Sequence, residues 1–227
     1  MTADELASFI DHTLLRPDAT DGEIERFVVA ARDYPFAALC LPPAHLPRAL
    51  QYLKGSAMAI ASVVGFPHGY QSTAVKVFEA KEIIGAGGDE IDMVMNIGAF
   101  KSGNYRLVAD EIAAVVTACS GKIVKVIIET PLLTDDEKRT ACRLVCESGA
   151  HFVKTATGFS GGGATVADVA LLTESAGGRI QVKASGGIRD VDTAIAMIDT
   201  GAARIGTSAG VGIVEELRSR EGTASKR

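Results

Sequence analysis

The amino-acid sequence predicts an α/β protein built as a single-domain (β/α)8 barrel, the TIM barrel fold. Short runs rich in Val and Ile alternate with segments of helical period along the chain, which is typical of parallel βαβ units. Eight such runs recur at roughly equal spacing, and no composition break separates them. An open dinucleotide-binding sheet would carry GxGxxG after its first strand, whereas the loop after His12 reads TLLRPDAT. The closed barrel is therefore favoured.

The elements follow in order. The predicted strands cover residues 9–12, 36–41, 59–65, 90–96, 123–129, 151–156, 180–185 and 203–206. Thr20 and Glu23 have the spacing of a capping box, and Thr134 precedes three acidic residues, so both positions predict helix starts. Further helical segments open at Pro43, Ser72 and Asp190. We assign residues 1–217 to the barrel domain and the polar residues 218–227 to a mobile C-terminal tail.

Composition and charge exclude several classes of function. The chain has 23 Lys and Arg against 28 Asp and Glu, a net charge of -5, no Trp and 5% aromatic residues, so it lacks the features of a nucleic-acid binder. The acidic N-terminus and the short apolar run at 58–66 predict neither a signal peptide nor a membrane span. No CxxC, HxH or HExxH pattern is present, so we expect no metal and no cofactor. A cytoplasmic location with no membrane partner is expected.

Charged residues inside the predicted strands are the strongest functional signal. Strict alternation points Asp92, Lys154 and Lys183 into the barrel, and Lys125 and Glu129 share one face of strand five. A buried ammonium must be paired, neutral or catalytic. One interpretation is an ion-pair network that holds the barrel together. The other is an amine whose pKa is lowered by a second ammonium, ready to form a Schiff base while Asp92 shuttles protons. The residues alone do not rank the lysines.

The glycines predict where an anion would bind. Thirteen of the 24 glycines lie between residues 149 and 212. The loops after strands seven and eight, SGGIR and GTSAG, are where barrels of this type commonly hold phosphate. The stretch GFSGGGAT at 158–165 has no GK[ST], so it is interpreted as a lid or a helix-opening loop rather than a P-loop. Imine chemistry on a phosphorylated carbonyl compound fits these features.

Six motifs carry a family resemblance: DHTLL at 11–15, EIDMVMNIGA at 90–99, KVIIET at 125–130, FVKTATGF at 152–159, VKASGGIR at 182–189 and IGTSAG at 205–210. Together they resemble the deoxyribose-phosphate aldolases, a family of class I aldolases. The resemblance implies reversible cleavage of 2-deoxy-D-ribose 5-phosphate, a small phosphorylated sugar, to acetaldehyde and D-glyceraldehyde 3-phosphate, and it implies a homodimer. The alternative is another imine-forming barrel lyase acting on a phosphorylated or keto-acid substrate.

The same resemblance assigns roles to residues. It makes Lys154 the Schiff-base lysine, Lys183 the neighbour that lowers its pKa, and Asp92 a member of the proton relay. The residues it implies for substrate and phosphate binding are Gly186, Gly187, Gly206, Ser208, Thr155, Cys40 and Asp11. Ala209 stands where family members often carry a second serine, and the C-terminal EGTASKR lacks the tyrosine that ends some members.

Structural roles compete with these assignments at three places. Lys125 is interpreted as a supporting partner of Glu129 rather than as the imine lysine. Cys40 fits a buried small apolar residue as well as a substrate contact. Asp11 and Thr13 form either a hydrogen-bonded pair that fixes a loop or a contact to substrate hydroxyls.

Overall fold

Eight parallel strands close into a barrel in the computed structural model, which describes residues 1–224. They are β1 (Ile10–Thr13), β2 (Ala38–Leu41), β3 (Ala59–Val64), β4 (Glu90–Val94), β5 (Ile123–Ile127), β6 (Phe152–Lys154), β7 (Gln181–Ser185) and β8 (Ala202–Thr207). Each strand pairs with the next along the chain, and β8 pairs with β1. The predicted (β/α)8 barrel is confirmed, and each predicted strand end falls within two residues of the observed one.

Helices connect the strands and form the outer layer. They are α1 (Ala3–Ala7), α2 (Asp21–Ala31), α3 (Leu46–Tyr52), α4 (Thr73–Gly85), α5 (Ile97–Lys101), α6 (Tyr105–Ala118), α7 (Asp135–Glu147), α8 (Val166–Ala176), α9 (Val191–Asp199) and α10 (Gly210–Ala224). Short 3-10 turns cover Pro43–His45 and Thr130–Leu132. Within residues 1–224, no helix combines the length and the apolar character that crossing a membrane requires.

The predicted helix starts are confirmed by reciprocal capping. The Thr20 hydroxyl accepts a hydrogen bond from the Glu23 N–H, and the Glu23 carboxylate accepts one from the Thr20 N–H. Thr134 and Glu137 repeat this arrangement at the start of α7. Such caps satisfy amide groups that the first helical turn leaves free. They fix where each helix leaves the rim of the barrel.

Side chains alternate between the helix layer and the barrel interior. The outward residues Ile91 and Met93 are fully buried against the helices, and burying each such side chain contributes about 1.5–3 kcal/mol. Inside the barrel, small apolar residues form a separate cluster at Ala38, Cys40, Ala61 and Val63. Because these side chains are small, long charged side chains from the other strands can occupy the rest of the interior.

The C-terminal boundary differs from the sequence prediction. A mobile tail over 218–227 was predicted, but α10 continues without interruption to residue 224. Arg220 in the last turns forms an ion pair of 2.6 Å with Asp192 of α9, and it forms a second pair of 2.6 Å with Glu216 one turn earlier. These contacts support continuation of the helix. Residues 225–227 lie outside the described residues.

Candidate active site

Three lysines converge on one carboxylate inside the barrel. Asp92 Oδ2 lies 2.7 Å from Lys154 Nζ and 2.7 Å from Lys183 Nζ, and Asp92 Oδ1 lies 2.9 Å from Lys125 Nζ. Lys125, Lys183 and Asp92 are completely buried, and Lys154 is 4% exposed. The predicted inward orientation of Asp92, Lys154 and Lys183 is confirmed, and Lys125 also lies in the interior.

The register of the sheet explains this convergence. Asp92 pairs with Lys125 across β4 and β5, and Lys154 pairs with Lys183 across β6 and β7. Residues paired in a parallel ladder point to the same face of the sheet. In a closed barrel that face is the interior, so adjacent strands bring their charged side chains into one small volume.

A second layer of charge lies beneath the lysines, and sequence reasoning missed most of it. The Arg204 guanidinium binds the carboxylate of Asp11, and it also donates to Glu90 at 3.1 Å. Lys183 binds the other oxygen of Asp11, while Lys125 contacts Glu90. Glu90 shares its strand face with Asp92, and Arg204 shares its face with Gly206, so strand alternation was the signal that could have found both.

The interior cluster contains one more basic group than it has carboxylates. Its carboxylates are Asp11, Glu90 and Asp92, and its cations are Lys125, Lys154, Lys183 and Arg204. Three negative groups therefore face four basic groups, and the buried cluster balances when one of the basic groups is neutral. A buried net charge is costly, so the neutral form of one amine is favoured.

The environment selects Lys154 as that amine. Burial lowers the pKa of Lys154, and the nearby ammonium of Lys183 lowers it further, although Asp92 acts in the opposite direction. Burial also opposes charge at Lys183, but there the carboxylates of Asp11 and Asp92 outweigh it and raise the pKa. Carboxylates likewise raise the pKa of Lys125 against its burial. The pKa of Asp92 lies well below its usual value because the three lysines outweigh its burial.

A cavity of about 260 Å³ opens above this cluster, at the carboxyl ends of the strands. It is lined by Thr13, Leu14, Leu15, Arg16, Lys154, Thr157, Gly158, Phe159, Ser185, Gly186, Gly187, Ile188, Arg189, Gly206, Thr207 and Ser208. Among the interior lysines of residues 1–224, only Lys154 reaches the lining. The least basic amine of the cluster is thus the one that faces the cavity.

Four predicted phosphate-binding residues line this cavity together. Gly186 and Gly187 have φ values of 93° and 80°, a backbone conformation that glycine adopts without strain. A Cβ on Gly206 would lie 2.9 Å from Ser185 Cβ, so the absent side chain lets β8 pack closely beside β7. Ser208 is exposed just before α10. An N–H-rich backbone next to a helix start suits an anion.

Two arginines of the cavity were not predicted. Arg16 and Arg189 both line it. Arg16 forms ion pairs with Asp18 and Glu23. Arg189 follows Gly186 and Gly187 in the SGGIR loop and is exposed. Its position in that loop was the available signal, because a cation beside a glycine-rich loop complements a phosphate.

The other predicted substrate contacts do not line the cavity. Thr155 is buried, and its hydroxyl donates to Ser185 O and accepts from Ser185 N–H, both at 2.9 Å. Cys40 is buried, and burial raises the pKa of its thiol to about 11. The Asp11 carboxylate binds Lys183 and Arg204. Although burial opposes it, the neighbouring cations lower the pKa of Asp11 to about 2.

One structural interpretation from the sequence is wrong, and one of two alternatives at Asp11 and Thr13 is observed. Lys125 does not pair with Glu129, because Lys125 Nζ is taken up by Glu90, Asp92 and Asp11. Glu129 has a left-handed backbone with φ of 58°, which ends the alternation of β5. Thr13 donates to the backbone carbonyl of Asp11 at 2.8 Å, so its hydroxyl fixes the chain while the Asp11 side chain serves the ion network.

The 158–165 segment is a helix-opening loop. Thr165 caps α8 by accepting from the Asp168 N–H. A Cβ on Gly163 would lie 2.3 Å from Gly186 O, and the Ala164 N–H donates to the same oxygen at 3.0 Å. The backbones of the β6–α8 and β7–α9 loops therefore pack directly on each other. This contact closes one side of the cavity.

Comparison with known proteins places this architecture in a family. The model of the DeoC/LacD family aldolases matches residues 6–215. A relative from Streptococcus suis named deoxyribose-phosphate aldolase is 52% identical over 210 residues, which are 92% of this chain and 96% of that protein.

Solved structures agree with the family model. A structure described as QR15, an aldolase, has a TM-score of 0.92 at 42% identity and covers 96% of this chain and 97% of its own. The tetrameric deoxyribose phosphate aldolase from Aeropyrum pernix has a TM-score of 0.90 at 34% identity, with 96% and 93% covered. The chain belongs to the DeoC/LacD family of aldolases.

Proposed function

We propose that this protein is a class I aldolase that reversibly cleaves 2-deoxy-D-ribose 5-phosphate to acetaldehyde and D-glyceraldehyde 3-phosphate through a Schiff base on Lys154. One observation carries the proposal: within the interior cluster, the lysine whose pKa is lowered is also the lysine that lines the cavity. Relatives about 50% identical over most of the chain carry the name deoxyribose-phosphate aldolase, which supports this substrate.

The first stage forms the imine. The neutral Lys154 amine attacks C1 of the open-chain sugar, and the new C–N bond gives a carbinolamine. Asp92, 2.7 Å from Lys154 Nζ, accepts the proton that the nitrogen releases. Lys183 donates to the same carboxylate oxygen, so a proton can return to the carbinolamine hydroxyl. Water leaves, and a protonated imine remains.

The second stage breaks the carbon–carbon bond. Loss of the 3-hydroxyl proton turns the C3 oxygen into a carbonyl, and the C2–C3 electron pair flows into the protonated imine. This gives an enamine on Lys154 and releases D-glyceraldehyde 3-phosphate. Protonation at C2 and addition of water then release acetaldehyde and restore the amine. We assign these proton transfers to Asp92, because its carboxylate lies 2.7 Å from Lys154 Nζ.

In this proposal the phosphate lies against the glycine loops that line the cavity. Gly186, Gly187, Gly206 and Ser208 offer backbone N–H groups and a hydroxyl. Arg189 in the same lining adds the positive charge that the net charge of -5 does not provide. Thr155, Cys40 and Asp11 are fully buried beneath the cavity, and in this proposal they support the interior next to Asp92.

Two further proposals concern the location and the oligomeric state of the protein. Four free cysteines support a reducing, cytoplasmic location. The family resemblance supports a homodimer, although the relative from Aeropyrum pernix is described as tetrameric. Light scattering on the purified protein distinguishes these two assemblies.

The decisive experiment is a coupled assay for D-glyceraldehyde 3-phosphate released from 2-deoxyribose 5-phosphate. Borohydride in the presence of acetaldehyde is expected to reduce the imine and leave the aldehyde covalently attached to Lys154. Lys154→Met is expected to lose both this labelling and turnover. Lys76→Met provides a matched loss of a buried lysine outside this cluster, because Lys76 pairs with Glu111 and does not line the cavity. Turnover by Lys154→Met at the wild-type rate would refute the assignment, and turnover of a keto acid alone would favour a different imine-forming lyase.

A further inference from the structure

Glu129 is a buried carboxylate that the proposed chemistry does not use. Its side chain is completely buried at the carboxyl end of β5. It accepts hydrogen bonds from the Thr157 hydroxyl at 2.6 Å and from the Thr157 N–H at 3.1 and 3.3 Å. In the part of the chain that the structure describes, no cation lies within ion-pair distance of it. All of its hydrogen-bond donors therefore belong to one residue.

The backbone at Glu129 is held in an unusual conformation. Its φ of 58° is in the left-handed region, which residues with a side chain seldom occupy and which costs about 1 kcal/mol or more. Hydrogen bonds to β6 and the residue after it hold both sides in place: the Ile128 N–H donates to Lys154 O at 3.1 Å, and the Thr130 N–H donates to Thr155 O at 2.9 Å. This conformation turns the side chain away from Lys125.

Thr157 connects this carboxylate to the cavity. It lies three residues after Lys154, and Thr157, Gly158 and Phe159 form consecutive lining residues. The Thr157 hydroxyl also accepts from the Phe159 N–H at 3.1 Å. Phe159 packs edge-on against Phe66 with ring centroids 5.2 Å apart. The position of this wall thus depends on the hydrogen bonds that Thr157 makes to Glu129.

We infer that Glu129 is a positioning residue that holds the Thr157–Phe159 wall against the bound sugar phosphate. The inference rests on the proposed function for its substrate. Burial of a carboxylate with no cation is costly, and the strained backbone adds to that cost. The three hydrogen bonds from Thr157 offset the cost of burying this carboxylate. The same bonds hold the Thr157–Phe159 wall in place. Among the described residues, the Glu129 carboxylate forms no hydrogen bond or ion pair with Asp92, Lys154 or Lys183, so it acts on substrate placement.

Glu129→Gln tests the inference because it keeps the size of the side chain but replaces one acceptor oxygen by an N–H donor facing Thr157. We expect KM for 2-deoxyribose 5-phosphate to rise about ten- to hundredfold, because a hydrogen bond to a charged group that positions the wall is lost. We expect kcat to fall less than about threefold, with an unchanged pH profile. Thr157→Val should reproduce the effect, and Thr157→Ser, which retains the hydroxyl, should restore nearly wild-type KM.

Glu111→Gln is the matched control. Glu111 is an equally buried carboxylate, but it pairs with Lys76 at 2.6 Å between α4 and α6, away from the cavity. This variant should lose stability with KM unchanged. If Glu129→Gln also changes only stability, or if it shifts the pH profile, the positioning role is refuted. If Glu129→Gln does not fold, Thr157→Val and Thr157→Ser decide by the same criteria.

Amide hydrogen exchange separates this inference from the proposed function. Exchange of the amides of residues 157–159 should be faster in Glu129→Gln than in the wild type, and it should be unchanged in Glu111→Gln. Unchanged exchange in Glu129→Gln would refute the inference even if the enzyme is active. If the wild type releases no D-glyceraldehyde 3-phosphate, the proposed function fails, while the exchange measurement still decides whether Glu129 holds the wall.

Discussion

Replacement of Lys183 by Met is expected to move Lys154 from its neutral to its protonated form. In the wild type, three carboxylates of the interior cluster balance three cations when Lys154 is neutral. After Lys183→Met, the remaining cations are Lys125, Lys154 and Arg204, so the same three carboxylates balance only when Lys154 carries a proton. A protonated amine cannot attack a carbonyl carbon.

The magnitude follows from the shared carboxylate. Both ammonium nitrogens lie 2.7 Å from Asp92 Oδ2, so they are at most about 5.4 Å apart, twice that distance. Two unit charges at that separation interact by about 3 kcal/mol at an effective dielectric constant of about 20. Removal of this repulsion favours the protonated form of Lys154 by about a hundredfold. The pKa of Lys154 therefore rises in Lys183→Met, and the acidic limb of the activity profile moves to higher pH.

The assay is kcat/KM for 2-deoxyribose 5-phosphate as a function of pH, together with the rate of borohydride trapping by acetaldehyde. Lys183→Met should lose about a hundredfold at neutral pH and recover part of this loss as pH rises. Lys183→Arg, which retains the charge, should keep the position of the acidic limb. A loss in Lys183→Met that is the same at every pH would refute the electrostatic argument, because it would show that Lys183 acts otherwise than through its charge on Lys154.

Three further predictions follow from the same structure. Gly186→Ala should destabilise the protein and raise KM more than Gly187→Ala, because both positions have positive φ but only at Gly186 would the Cβ meet facing backbone, at 2.8 Å; thermal melts and KM check this. Burial lowers the pKa of His12 from 6.5 to about 4, so stability present above pH 6.5 is lost as pH falls towards 4, by about 3 kcal/mol; melts of His12→Phe should show a shallower decline over that range than the wild type, and an equal decline would contradict the assignment. Iodoacetamide at pH 8 should label the half-buried Cys146 and spare Cys40, whose thiol has a pKa raised to about 11 by burial; peptide mapping that finds Cys40 labelled first would overturn this expectation.

Local patterns were sufficient for the strands and for the main charges of the site. The side-chain period of a strand is 2, so the sequence of β4 already places Asp92 opposite to Ile91 and Met93. The same rule placed Lys154 and Lys183 inside the barrel. The rule fails to predict the direction of the Glu129 side chain, because a left-handed backbone interrupts the alternation there and the side chain binds Thr157 instead. Periodicity carries no information about a single residue with positive φ unless that residue is glycine.

The ranking of the lysines required the closed barrel. From the residues alone, Lys154 and Lys183 were equivalent inward amines, and only the family resemblance separated them. In the structure, pairing of β8 with β1 brings Asp11 and Arg204 next to Lys183. The carboxylates of Asp11 and Asp92 hold Lys183 protonated. Among the described residues, Asp92 is the sole carboxylate that contacts Lys154.

By itself, the sequence determined the eight βα units, the inward direction of the charged strand residues and the glycine loops, because each of these follows from the spacing of neighbouring residues. The tertiary structure decided which amine is neutral, which residues share the cavity and where Glu129 binds. Those properties depend on distances between strands that are far apart in the chain, and barrel closure sets these distances. Burial then converts them into large differences in charge stability.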